Sequence, residues 1–113
     1  MAKAPATRTM TDPDCCSVLD APIGADRAAE LARAFAALAD PVRLRLFSLI
    51  AAADTACSCN LVEPIGRSQP TVSHHTKVLA EAGLITGERA GRWVNWSVVP
   101  ERVAELHAAL ASP

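Results

Sequence analysis

Gly66-Arg67-Ser68-Gln69-Pro70-Thr71-Val72-Ser73-His74-His75-Thr76-Lys77-Val78-Leu79-Ala80-Glu81-Ala82-Gly83 is the stretch that decides the fold. Ser68 offers an oxygen to the free N–H groups of a helix start, and Pro70 is tolerated in a first turn, where its missing N–H costs nothing. On a helical wheel Val72, Thr76, Leu79 and Gly83 share one face, while Pro70, His74, Lys77 and Glu81 share the opposite one. Such a helix buries one side and shows the other to solvent. Upstream, a short helix is expected over about Cys59 to Ile65, ended by Gly66. Short helix, glycine turn, then a helix with a polar outer face is the helix-turn-helix pattern.

Beyond Gly83 the period changes from helical to alternating. Leu84-Ile85-Thr86-Gly87-Glu88 and Arg92-Trp93-Val94-Asn95-Trp96-Ser97-Val98 suit two strands, with a tip at Arg89-Ala90-Gly91. That hairpin is a wing. Trp93 and Trp96 fall on opposite faces of their strand, so one of them is expected to pack on the core. A last helix, Glu101 to Leu110, presents Val103, Leu106 and Leu110 on one side.

On the N-terminal side, Ala28, Leu31, Ala32, Phe35, Leu38 and Ala39 recur at helical spacing between Gly24 and Asp40. Asp40-Pro41 then reads as an N-cap followed by proline at the first helical position. Val42, Leu46, Leu49, Ile50 and Ala53 form the next apolar stripe, with Arg43 and Arg45 pointing elsewhere and Asp54-Thr55 breaking the helix. Residues 1–22 hold three prolines and no helical period. The expected organisation is a flexible arm over 1–23 and one winged helix-turn-helix domain over 24–112. The fold class is mainly α: about five helices and a two-stranded β-wing.

Length and composition fit that reading. At 113 residues, half of them apolar with alanine dominant, the chain suits closely packed helices and gains core by dimerising. No run approaches a membrane span, and the start carries no stretch of signal-peptide length, so the expected location is the cytoplasm. There cysteines stay reduced and serve as ligands or redox groups. The net charge of −1 says little, but its distribution says more. Residues 11–66 carry eight acids and four bases, whereas 67–92 carries four bases against two acids, a basic head on an acidic body.

Leu38-Ala39-Asp40-Pro41-Val42-Arg43-Leu44-Arg45-Leu46, Ser68 to His75, Lys77 to Leu84 and Gly91-Arg92-Trp93-Val94 together closely resemble the ArsR/SmtB family, bacterial winged-helix repressors that respond to metals and metalloids. The resemblance covers roughly residues 26–110, with four blocks in order. It implies a homodimer with the first and last helices at the interface and two recognition helices in successive major grooves. Cys57-Ser58-Cys59-Asn60-Leu61 is similar to the family's Cys-x-Cys-Asp-Leu metal box, and Cys15-Cys16 to the vicinal pair of some arsenic-responsive members. Three positions depart from the pattern. Asn60 replaces an acid, Arg67 stands where leucine is common, and Thr76 replaces a buried leucine and should cost packing.

Four cysteines thus become candidate ligands: Cys15, Cys16, Cys57 and Cys59. Isolated cysteines are usually small apolar fillers, but two clustered pairs in this context argue against inertness. Adjacent cysteines diverge in regular structure, so Cys15 and Cys16 converge only on an irregular backbone. Cys57 and Cys59 face the same way on an extended backbone, and a nearby helix start favours their thiolates. All-sulfur donors select soft ions. Trivalent arsenic or antimony needs three sulfurs; cadmium or lead would use all four. A thiol-oxidation sensor uses the same residues. For the third sulfur beside the arm pair, Cys57 is expected to have more reach and Cys59 more thiolate stabilisation, and reach favours Cys57. His107 on the last helix has no partnered ligand pattern, which leaves zinc improbable there.

Operator DNA, an inverted repeat, is the expected partner. Gln69, Thr71, Ser73, His74 and Lys77 lie on or beside the outward face of the recognition helix, with side chains suited to base edges and phosphates. His75 sits beside the Val72 face, equally placed for packing or DNA. Arg89 and Arg92 flank the wing tip, within range of phosphates or the minor groove. Cys-x-Cys and Cys-Cys are not the Cys-x-x-Cys of a thiol oxidoreductase, and no βαβ unit is visible, so an enzyme is not expected.

Overall fold

Residues 17–111 are described by a computed structural model of the chain. Their order is α1 (Ala25–Leu38), α2 (Pro41–Ala53), β1 (Ala56–Cys57), a 3-10 turn (Ser58–Asn60), α3 (Val62–Ile65), α4 (Gln69–Glu81), β2 (Ile85–Ala90), β3 (Trp93–Val98) and α5 (Pro100–Ala109). The winged helix-turn-helix architecture is as expected, with one addition. The sheet has three antiparallel strands in the order β1-β3-β2, where the sequence pattern shows two.

Local chemistry sets most element ends. Asp40 Oδ1 accepts the N–H groups of Val42 at 2.9 Å and Arg43 at 3.2 Å, which starts α2. Asp54, at φ 68° and ψ −58°, ends it as the centre of a γ-turn, in which the Thr55 N–H donates to the Ala53 carbonyl at 2.7 Å. Gly66 closes α3 at φ 73°, and Ser68 Oγ accepts the Thr71 N–H to open α4. Thr76 is buried where the family pattern has leucine. Its hydroxyl donates to the Ser73 carbonyl at 3.0 Å, so the polar atom is satisfied within its own helix.

Val72, Thr76 and Leu79 of α4 pack inward against Leu46 and Ile50 of α2, with Leu84 and Ile85 beneath. In α1 the buried residues are Leu31, Ala34 and Ala37, with Phe35 and Leu38 half-buried, while Ala28, Ala32 and Ala39 are exposed. The expected stripe is rotated. Alanine at most positions of α1 flattens the contrast that a periodicity argument needs. On α5 Leu106 and Ala109 face the core, whereas Val103 and Leu110 are exposed. The exposed Leu110 closes α5, and the exposed Leu19 sits in the segment docked against that end.

Residues 17–23, expected to belong to the arm, instead pack on the domain. Ser17 is buried and donates its hydroxyl to the Ala109 carbonyl at 3.1 Å, which also accepts the Val18 N–H at 2.8 Å. Val18 and Ile23 rest on the core. The rest of the arm, including Cys15 and Cys16, lies outside the described residues.

β2 runs two residues further toward the tip than expected and β3 begins one residue later, and they meet in a two-residue turn, Gly91-Arg92, since Ala90 pairs with Trp93. Gly91 has φ 67°, as the first central residue of a type II′ turn requires. Trp96 is the tryptophan that packs against the core. Gly87 lies directly opposite it, and a Cβ there would sit 2.7 Å from the Trp96 ring and from Val94. Gly87→Ala is therefore expected to destabilise the fold by about 1–3 kcal/mol through overpacking, read as a lower melting temperature. An unchanged melting temperature would show that Trp96 can move aside freely.

Candidate nucleic-acid interface and thiol pair

One turn of α4 apart, Gln69, Ser73 and Lys77 line the side facing the wing. Gln69 Nε2 donates to Ser73 Oγ at 3.1 Å, an i,i+4 link that orients both side chains. Across from them stand Arg89 and Arg92, and between the two elements runs a groove of about 560 Å³. The Arg92 guanidinium lies 5.1 Å from the Trp93 ring centroid, a cation–π contact that restrains it beside the turn. The bases around this groove are Lys77, Arg89 and Arg92, against Glu81 alone. His74 is exposed on the adjoining face, and Thr71 is half-buried, its hydroxyl accepting from Ser68 Oγ at 3.0 Å.

His75 turns the other way. Its Nδ1 is 3.3 Å from Arg43 Nη1, and Arg43 also donates from Nε to the Ala37 carbonyl at 2.6 Å. Arg43 therefore ties the end of α1 to α4, a role invisible in the sequence because its partners are distant in the chain. Burial pushes the His75 imidazole below its ordinary pKa, opposed by the Asp40 carboxylate and aided by Arg43. A neutral imidazole is the form that can accept from Arg43 at Nδ1. Asp40 is held below the usual carboxylate range, first by the Arg43 N–H.

The second centre is Cys57-Ser58-Cys59. Cys57 ends β1 and pairs with Asn95 of β3, and the chain then folds into the 3-10 turn. The two sulfurs are 2.13 Å apart, a disulfide, where the sequence reading has free thiols. A joined pair has no thiolate to offer, so ion binding requires its two-electron reduction first. Cys59 is exposed and Cys57 half-buried, and the Cys59 N–H donates to Cys57 Sγ at 3.1 Å. Both grounds for choosing between them are thus exchanged: Cys59 has the exposure, and Cys57 has the N–H that stabilises negative charge on sulfur.

Among the described residues no group of three or more His, Cys, Asp and Glu side chains is gathered to hold a metal. When reduced, this pair fits a thiophilic ion as two sulfur donors, and further donors must come from elsewhere. Ser58 escaped the sequence reading. Its hydroxyl accepts the Val94 N–H at 3.2 Å, a contact across 36 residues with no local signal.

A capped helix with one face in the core and a polar face beside a basic β-hairpin defines a winged helix-turn-helix protein. Residues 38–88 match a helix-turn-helix domain family. An uncharacterised HTH-type transcriptional regulator of Methanocaldococcus jannaschii is 35% identical over 81 residues, covering 72% of this chain and 88% of that protein. The arsenic resistance transcriptional regulator ArsR1 of Pseudomonas putida is 40% identical over 67 residues, 59% of this chain and 52% of its own length. The chain therefore spans about half of that relative. Among solved structures, the homodimeric winged helix-turn-helix DNA-binding domain Mb0332 of Mycobacterium bovis, a possible ArsR-family regulator, superposes with a TM-score of 0.62. It is 27% identical, covering 78% of this chain and 83% of its own. The chain belongs to the ArsR/SmtB family of DNA-binding transcriptional regulators, which are not enzymes. No described helix is long and apolar enough to cross a membrane.

Proposed function

We propose that this protein is a homodimeric repressor that holds an inverted-repeat operator through α4 and the wing and leaves it when trivalent arsenic or antimony binds its thiolates. The observation that carries the reading is the Cys57–Cys59 pair, fused to the edge of the wing sheet through the Cys57–Asn95 pairing. Gln69, Ser73, His74 and Lys77 face the DNA, Thr71 braces the first turn of the helix and His75 its middle, and Arg89 and Arg92 reach the backbone. The ion draws Cys15 and Cys16 onto Cys57. A dimer reads half-sites about one helical turn apart, so a small change in wing or helix orientation spoils simultaneous docking. Reciprocity then requires DNA to weaken ion binding by the same factor.

The disulfide favours a second reading, a repressor that responds to thiol oxidation. Operator release measured in parallel with arsenite, cadmium, zinc and peroxide separates the two. Release by arsenite at low concentration supports the metalloid sensor. Release by peroxide alone, reversed by a thiol reductant, supports the oxidation sensor, and release by cadmium needing all four thiols would redirect the inducer. The arm pair has its own check: Cys15→Ser with Cys16→Ser is expected to repress normally and ignore arsenite. If that variant dissociates at the wild-type arsenite concentration, the arm is no part of the site.

A further inference from the structure

We infer that Ser58 is the positioning residue through which the chemical state of the Cys57–Cys59 pair reaches the wing. The inference rests on the proposed reading that these thiols are the sensor. It concerns the step that reading leaves open, how an event at sulfur moves a DNA-facing element.

The β1–β3 ladder pairs Ala56 with Trp96 and Cys57 with Asn95. Continued by one residue, that register sets Ser58 opposite Val94. The backbone does not continue, because Ser58 opens the 3-10 turn that carries Cys59. Its side chain makes the rung instead: Ser58 Oγ accepts the Val94 N–H at 3.2 Å. Val94 pairs directly with Arg89 of β2. One line across the sheet therefore runs from the residue between the two sulfurs, through β3, to a basic side chain of the groove.

The turn geometry makes this rung sensitive to the thiols. The turn around Ser58 is closed by the Cys59 N–H, which donates to Cys57 Sγ at 3.1 Å. A Cys57 sulfur that shares its charge with an ion and is drawn toward the arm holds that N–H less well. The Cys57 backbone is held by its pairing with Asn95, whereas Cys59 is exposed and free to turn once that contact weakens. The intervening Ser58 then rotates, and its hydroxyl leaves the Val94 N–H. A half-buried N–H without a partner is a strong reason for β3 to shift until it finds one.

The test uses the full chain and its own spectroscopic reporters. The sequence has two tryptophans, Trp93 and Trp96, and both lie on β3 beside Val94. Wild type, Ser58→Ala and Ser58→Thr are compared, reduced, with and without arsenite. Three quantities are read: thiols protected from a thiol reagent, tryptophan emission, and the ratio of operator affinities without and with arsenite. In wild type, arsenite should change the emission without DNA and lower operator affinity by a factor of about 5–150. Ser58→Ala should protect as many thiols as wild type, yet lose the emission change and reduce the affinity ratio to about threefold or less. Ser58→Thr, which restores the hydroxyl, should recover both.

Equal thiol protection with an undiminished affinity ratio in Ser58→Ala would overturn the role of Ser58 and leave the sensor standing. Wild-type thiols that stay free in arsenite would sink the metalloid reading, and the three proteins compared as disulfide and dithiol then decide Ser58 by the same ratio. If Ser58→Ala melts too low to assay, the wild-type emission decides, since unchanged emission on full thiol occupancy overturns the coupling without any variant.

Discussion

Cys57→Ser is expected to abolish the arsenite response while leaving the operator complex intact. Serine keeps the side-chain volume nearly unchanged and the β1 pairing with Asn95 is made by the backbone, so the wing sheet survives. What is lost is the sulfur that receives the Cys59 N–H and is fixed on the sheet edge. The ratio of operator affinities without and with arsenite, about 5–150 for an effective allosteric ligand, should fall to about one. In Cys59→Ser it should persist, because the arm pair with Cys57 already supplies three sulfurs. The reverse outcome would move the third ligand to Cys59. Loss in both variants would mean a four-thiol or exchanging site, which suits cadmium or lead.

The second large effect concerns the groove. Lys77→Ala, Arg89→Ala and Arg92→Ala combined are expected to weaken binding to operator and to unrelated DNA alike, the outcome for side chains that meet phosphates and not base edges. Each phosphate contact removed should lower the slope of log affinity against log salt by about 0.9. A stable triple variant with the wild-type salt slope would remove this face from the interface. Lys77→Ala alone serves as the smaller step in the series. If any single substitution relaxes sequence preference and not salt dependence, that side chain reads a base edge instead.

Much of this protein is determined by interactions between neighbours in the chain, and those were legible without a structure. The Asp40 and Ser68 caps, the Gly66 stop and the Val72-Thr76-Leu79 face each depend on contacts within a few residues. The wing hairpin is equally local, since a glycine turn joins strands that pair with each other. The pattern weakened where side chains lost contrast, as in the alanine-rich α1 and at the ends of α5.

Tertiary structure alone decided the rest. A strand of two residues, Ala56 and Cys57, has no period to detect and exists because β3 offers an edge for it to pair with. The same is true of Arg43 against His75 and of Ser58 against Val94, separated by 32 and 36 residues. Sequence placed two cysteines beside a recognition helix. Only the fold put them on the wing's own sheet, because hydrogen bonds between distant strands are satisfied by geometry that no local pattern encodes.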